Sequence, residues 1–289
     1  MSRIHHILVT GATGKQGGAV ARHLHQAGFS VYALTRRPDT LPARRLQEQG
    51  ITLRVGNLDD RGSLDRALAG IEGVFSVQNY WEPGVGMAGE IRQGMTLADA
   101  ARAAQIQHYV QSTMADAPTV AGVEHFVSKQ AIEQYLATTG LPTTRIGTVY
   151  FMDNLLDPQM GGRMTFPVLA GSLRPETPFQ MIAVDDIGAI AAAVFQDRAR
   201  WIGTKINVAG DVLTVGAMKA VYRQVTGRRP PPWRIPAWVL RRFNRDFAAQ
   251  LRWHTSVGWR FDHTEAATIH PGLMTFAQFL QRYLPYGFR

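Results

Sequence analysis

A chain of 289 residues with 45% hydrophobic and 18% charged residues holds enough apolar material for one large α/β core, or for a core and a smaller lobe. It contains no cysteine, which excludes disulfides, thiolate metal sites and thiol redox switches. The formal charge of +9 is carried late in the chain: residues 1–196 hold 16 basic and 17 acidic side chains, residues 197–289 hold 15 and 5.

In chain order, the apolar run Ile4–Val9 predicts a strand, then a glycine turn and a helix over Gln16–Ala27. Strands at Ser30–Leu34, Ile51–Val55, Val74–Gln78, His108–Ser112 and Thr143–Thr148 alternate with helices near Leu41–Gln49, Ser63–Ala69, Glu90–Ala104 and Glu124–Thr138. This alternation needs right-handed crossovers and predicts an α/β fold, a doubly wound parallel sheet of Rossmann type. Gly28 and Gly140 follow helices at the position where a left-handed cap is wanted.

After Tyr150 the pattern loosens. Pro167, Pro175 and Pro178 punctuate short segments before a helix near Val184–Phe195. A strand at Lys205–Val208, a helix over Val215–Thr226, a rigid proline-rich connection at 230–236 and a helix over Thr275–Leu284 complete the reading. The division expected is a nucleotide-binding domain over residues 1–150 and a smaller C-terminal lobe over 151–289. The two are interleaved, with the lobe over the C-terminal edge of the sheet, where such folds bind ligands.

The late basic excess concentrates at Arg228, Arg229, Arg234, Arg241, Arg242, Arg245 and Arg252, against Asp246. Such a surface attracts anionic partners, but without a legible helix-turn-helix or aromatic–basic motif it reads as a solvated face, and no nucleic acid is expected. Nine histidines show no ligand spacing, so no metal is expected. The apolar run Ile187–Phe195 is too short to span a bilayer. The chain enters its first strand at once, and a cytoplasmic setting is expected.

The chemistry begins at Gly11-Ala12-Thr13-Gly14-Lys15-Gln16-Gly17. Glycines let the backbone turn tightly and approach a pyrophosphate, and the following helix aims its N–H groups and positive dipole end there. The second strand ends Thr35-Arg36-Arg37, with no carboxylate until Asp39. A carboxylate there would bond a ribose 2′-hydroxyl, whereas two guanidiniums suit a 2′-phosphate, so NADP(H) is the cofactor expected. After the third strand, Asn57 and Leu58 are placed to border an adenine, or form an ordinary turn.

The segments Gly11–Gly17, Gln78-Asn79-Tyr80-Trp81-Glu82, His125-Phe126-Val127-Ser128-Lys129 and Phe151-Met152-Asp153-Asn154-Leu155-Leu156 together resemble the NmrA-like family. These are atypical relatives of the short-chain dehydrogenases/reductases, and the likeness is to the NADPH-sensing branch. The resemblance implies that Gly11 to Gln16 cradle the pyrophosphate, Arg36 meets the 2′-phosphate, and Asn57 and Leu58 border the adenine. It also implies that Gln78, Asn79 and Tyr80 line the nicotinamide ribose, that Arg92 is a basic cofactor contact and that Lys129 reaches the ribose hydroxyls. Phe151, Met152, Asp153 and Asn154 would close over the nicotinamide. Trp81 and Phe151 read equally as core aromatics, and Asn154 as the cap of a helix starting at Leu155.

The superfamily's usual acid is the tyrosine of a Tyr-x-x-x-Lys pair. Here His125 stands four residues before Lys129, able to move protons near neutrality or to be a pocket wall. Ser112 and Thr113 stand where a carbonyl-polarising serine is expected. Two functions follow: an NADPH-dependent reductase of a quinone-like or other small acceptor, or a non-catalytic redox sensor that regulates a partner protein. In either case the chain is expected to be a monomer or homodimer. The sensor reading uses the glycine-rich run Pro83–Gly89 and the segment 161–178 as mobile elements.

Overall fold

Residues His6–Val9 (β1) are buried on both faces from Ile7 onward, as a central strand of a parallel sheet must be. The computed structural model of the chain describes residues 4–158, 162–229 and 245–287, with Trp238 and Arg242. β1 pairs in parallel with Ser30–Thr35 (β2) and Gly73–Ser76 (β4). β2 also pairs with Thr52–Val55 (β3), and β4 with His108–Met114 (β5). With Thr143–Thr148 (β6) and, late in the chain, Lys205–Val208 (β9), the sheet has seven strands in the order β3-β2-β1-β4-β5-β6-β9. The order reverses at β1, the switch point at which doubly wound folds open a ligand crevice.

Both faces carry helices. Leu8, Leu34, Val74 and Tyr109 point to the face covered by Arg61–Ala67 (α3), Gly86–Ala103 (α4) and Glu124–Thr139 (α5), packing with Leu64, Leu97, Ala98 and Ile132. The opposite face takes Lys15–Gln26 (α1) and Val184–Gln196 (α7). A Cβ on Gly188 of α7 would stand 2.8 Å from the Ala19 carbonyl of α1, so glycine sets their close approach. Leu41–Glu48 (α2) joins β2 to β3. Gly28 and Gly140 have φ of +86° and +72°, the left-handed caps expected of them.

By backbone contacts the chain falls into two units. The first comprises residues 1–114, 125–147 and 187–206; the second, 115–124, 148–186 and 207–289. The second unit holds a three-stranded sheet, Asp211–Thr214 (β10), Pro178–Ile182 (β8) and Tyr150–Phe151 (β7), with β10 antiparallel and β7 parallel to β8. Its core gathers Met152, Phe166, Phe179, Tyr222, Phe276 and Phe279. These come from Thr165–Ser172 (α6), Val215–Thr226 (α9), Phe276–Gly287 (α12), β8 and the turn that follows β7. Here the structure adds α6, β8 and β10 to the elements read from sequence.

Two expectations change. The fourth helix begins at Gly86 rather than Glu90, so half of the glycine-rich run is helical; Gly89 N donates to Val85 O at 3.0 Å. Asn154 lies inside a 3₁₀ turn, Met152–Leu155, rather than before a helix beginning at Leu155. The proline connection at 230–236 and most of the arginine-rich stretch lie outside the described residues.

Candidate functional site

β1 ends in a turn that glycine makes without strain. Gly11 has φ +61°, and Gly14 N donates to its carbonyl at 2.9 Å. A Cβ on Gly17 would lie 2.4 Å from Gly11 O and 2.6 Å from Thr10 O, so α1 can start this near the strand only with glycine there. Gly11, Thr13, Gly14 and Lys15 face solvent while Ala12, Gln16 and Gly17 are buried. Helix α1 opens at Gly14 with no side chain capping its N–H groups and no acid in its first turn. The turn thus presents main-chain donors and a positive helix end, a cradle that side chains would fill; it fits a dinucleotide pyrophosphate.

Gln16 turns inward instead: its Nε2 donates to Ser112 Oγ at 2.7 Å, joining the glycine turn to the end of β5. Thr113 donates from Oγ1 to Glu133 Oε1 at 2.5 Å. Neither β5 hydroxyl is idle, since each is committed to a neighbour.

At the end of β2 both arginines are exposed. Arg36 Nη2 lies 2.5 Å from Glu82 Oε1, and Arg37 N donates to Thr35 Oγ1 at 3.2 Å. After β3, Asn57 Oδ1 accepts from Asp59 N at 3.1 Å, holding the turn, and Leu58 leans on the sheet core. Arg92 reaches across from α4 to Asp59, with Nη2 and Nε at 2.8 and 3.0 Å, and Gln93 Nε2 donates to the other oxygen at 2.8 Å. Burial pushes the Asp59 carboxyl up. The Gln93 and Arg92 hydrogen bonds, with the charges of Arg92 and Arg36, more than offset this and hold it below the usual range.

Beyond β4, Gln78 is buried: it donates to Ser76 Oγ at 2.8 Å and accepts from Gln111 Nε2 at 3.2 Å. Asn79 Oδ1 accepts from Trp81 N at 3.2 Å. Tyr80, Trp81 and His125 form an aromatic group, with ring centroids 4.9 to 5.6 Å apart. Trp81 is 49% exposed and therefore no core aromatic. His125 is one wall of that group.

Lys129 is the convergence point. Its Nζ lies 2.9 Å from Glu90 Oε1 and 3.5 Å from the Gln78 carbonyl, tying α5 to α4 and to the end of β4. Glu90 is fully buried, and its other oxygen accepts a short hydrogen bond from Ser128 Oγ. Sequence reading missed Glu90. The signal was its helical phase: Glu90, Gly94, Leu97, Ala98 and Ala101 share the buried face of α4.

Of the predicted site residues, the first unit brings the glycine turn, Arg36, Arg37, Asn57, Leu58, Gln78, Asn79, Tyr80, Arg92, His125 and Lys129 to the strand ends of one sheet. Phe151, Met152, Asp153 and Asn154 belong to the second unit. There Met152 is buried in the core, and Asp153 Oδ2 accepts from Val184 N at 2.9 Å, at the start of α7. Among the described residues no group of histidines and carboxylates could hold a metal, and no helix is long and apolar enough to cross a membrane.

The sequence pattern of the NmrA-like family matches residues 4–277. The NmrA-like family domain-containing oxidoreductase hkm9 of Aspergillus hancockii is 30% identical over 257 residues, covering 80% of this chain and 76% of its own. Among solved structures, the NADPH-dependent quinone oxidoreductase QOR2 of Escherichia coli, complexed with NADPH, superposes with a TM-score of 0.80 at 21% identity, covering 96% and 99% of the two chains. The negative transcriptional regulator NmrA in complex with NADP superposes at 0.78 and 22%, covering 98% and 96%. A pattern match across nearly the whole length, and a relative at this identity, place the chain in the NmrA-like family.

Proposed function

We propose that the chain binds NADP(H) and reduces a small quinone-like or other carbonyl-like acceptor. One observation carries the reading: at the C-terminal ends of one sheet, an uncapped helix start at Gly14, a guanidinium at Arg36 and an ammonium at Lys129 occupy the strand ends of the switch point. In this reading the Gly11–Lys15 main chain holds the pyrophosphate while the buried Gln16 braces the turn. Arg36 and Arg37 hold the 2′-phosphate, and Asn57 and Leu58 border the adenine. Gln78, Asn79, Tyr80 and Lys129 face the nicotinamide ribose. The NADPH-bound quinone reductase and the fungal oxidoreductase support it by likeness.

When bound, the cofactor supplies a hydride. The chain's own residues bind and orient. Glu90 balances the Lys129 charge from behind, so Lys129 acts as a held hydrogen-bond donor more than as a bare cation. With His125 where the tyrosine would stand, acceptors that need little proton assistance suit the site best.

A second reading, a sensor that binds the cofactor without turnover and regulates a partner protein, is favoured by that missing tyrosine and by the likeness to NmrA. Calorimetric titration with NADPH, NADP⁺ and NADH, followed by a quinone in the same cell, separates the two. Tight NADPH binding with sustained heat on quinone addition is the expected result; binding without turnover of any quinone supports the sensor. No binding of any dinucleotide refutes both.

A further inference from the structure

Arg36 is placed to read a 2′-phosphate, yet its guanidinium is already in contact with the Glu82 carboxylate at 2.5 Å. We propose that Glu82 is a built-in competitor for the 2′-phosphate, so that Arg36 recognises NADP(H) by exchanging one anionic partner for another. The inference rests on the cofactor reading above and adds to it a specificity-determining residue outside the expected contacts.

Three observations support it. The pair is open to solvent, with the Arg36 and Glu82 side chains 52% and 29% exposed, so it is weak enough to exchange. A phosphate dianion accepts two guanidinium hydrogen bonds with more charge than a carboxylate brings, which favours the exchange. Asp59 is committed to Arg92 and Gln93, whereas Glu82 is in direct contact with this guanidinium. A ribose 2′-hydroxyl carries no charge to displace Glu82, so NADH leaves the pair intact.

The turn that carries Glu82 is closed without its carboxylate. Glu82 closes the turn that begins at Asn79: its N–H donates to Asn79 O at 3.2 Å, and Trp81 N donates to Asn79 Oδ1 at 3.2 Å. Both bonds use groups other than the Glu82 carboxylate, so the carboxylate can leave Arg36 without opening the turn that carries Asn79 and Tyr80, the residues proposed for the nicotinamide ribose.

The test is a double-mutant cycle on nucleotide affinity by calorimetry, with NADPH, NADP⁺ and NADH titrated into the full-length protein. Glu82→Gln keeps the shape and removes the charge. It is expected to tighten NADPH and NADP⁺ by about two- to fivefold, the range set by an exposed ion pair, and to leave NADH unchanged. In an Arg36→Gln background the same change is expected to do nothing. Equal tightening of NADPH and NADH, no tightening in Glu82→Gln, or a gain that survives Arg36→Gln overturns the inference while leaving the cofactor reading standing. Failure of the unaltered protein to bind any dinucleotide overturns both.

Discussion

Lys129 Nζ lies 2.9 Å from a carboxylate, Glu90, that has no exposure to solvent at all. A buried ion pair is a poor source of net stability, because two desolvation penalties offset the attraction, but removing one partner is severe. Lys129→Ala strands the Glu90 charge and is expected to cost about 3–5 kcal/mol in urea denaturation. Lys129→Met with Glu90→Leu is expected to recover most of it. An unchanged urea midpoint in Lys129→Ala would mean that water reaches Glu90. Loss of the proposed activity in that variant would therefore report on folding as well as on the proposed chemistry.

Reversing the charge at the end of β2 separates the nucleotides. Arg36→Glu is expected to weaken NADPH by roughly ten- to a hundredfold, the worth of a charged hydrogen bond, and to affect NADH far less. Equal weakening of both in parallel titrations would place the 2′-phosphate elsewhere.

The contact between α1 and β1 tolerates no side chain. Gly17→Ala places a methyl 2.4 Å from the Gly11 carbonyl, backbone that cannot rotate away. A loss of roughly 3 kcal/mol is expected, the upper part of the usual range for overpacking. A melting temperature equal to that of the unaltered protein would show that the turn can shift.

Acid sensitivity is expected from His108. Its Nε2 lies 2.8 Å from Thr144 Oγ1, and burial, helped by the Arg198 charge, pushes the imidazole down from 6.5 to about 3. Above pH 6.5 the ring is neutral in both folded and unfolded chains and contributes no pH dependence. Below it the unfolded chain takes up a proton that the folded chain refuses. Stability then falls by up to about 1.4 kcal/mol per pH unit until the folded ring titrates.

Glu72 acts in the same direction. The His5 N–H donates to its carboxylate at 2.6 Å and His6 N at 3.0 Å, holding it below 4.5 against the effect of burial. The stability it contributes is present above its unfolded value and is lost as pH falls further. Urea midpoints at pH 7, 6, 5 and 4 should show His108→Gln losing less stability than the unaltered chain; identical slopes would contradict this.

The seven strands of the large sheet were legible because they alternate with helices and turn residues, although β6 has Ile146 as its one large apolar residue, and the glycine turn because its glycines follow β1. In the second unit the helices α9 and α12 were legible, but α6 and the small sheet were not. β7 has two residues, β8 begins at Pro178, and Pro167 lies within α6, so proline reads as interruption where the structure has elements. In the site, residue types marked Arg36 and Lys129 but not their partners. Glu82 and Glu90 are far from them in sequence, and an acidic residue reads as solvated until the fold brings a cation to it.

The route of the chain through the first unit bears on how that unit can be produced alone. A fragment ending at residue 150 would contain the glycine turn and six strands, yet would lack β9, the neighbour of β6, and α7, whose Gly188 and Phe195 pack on α1, Phe29 and His108. It would expose an unpaired strand edge and a stripped apolar sheet face, a template for aggregation. A minimal piece carrying the candidate cofactor site is therefore reached by grafting residues 187–206 back behind a linker, not by cutting the chain where the glycine turn and the six strands end.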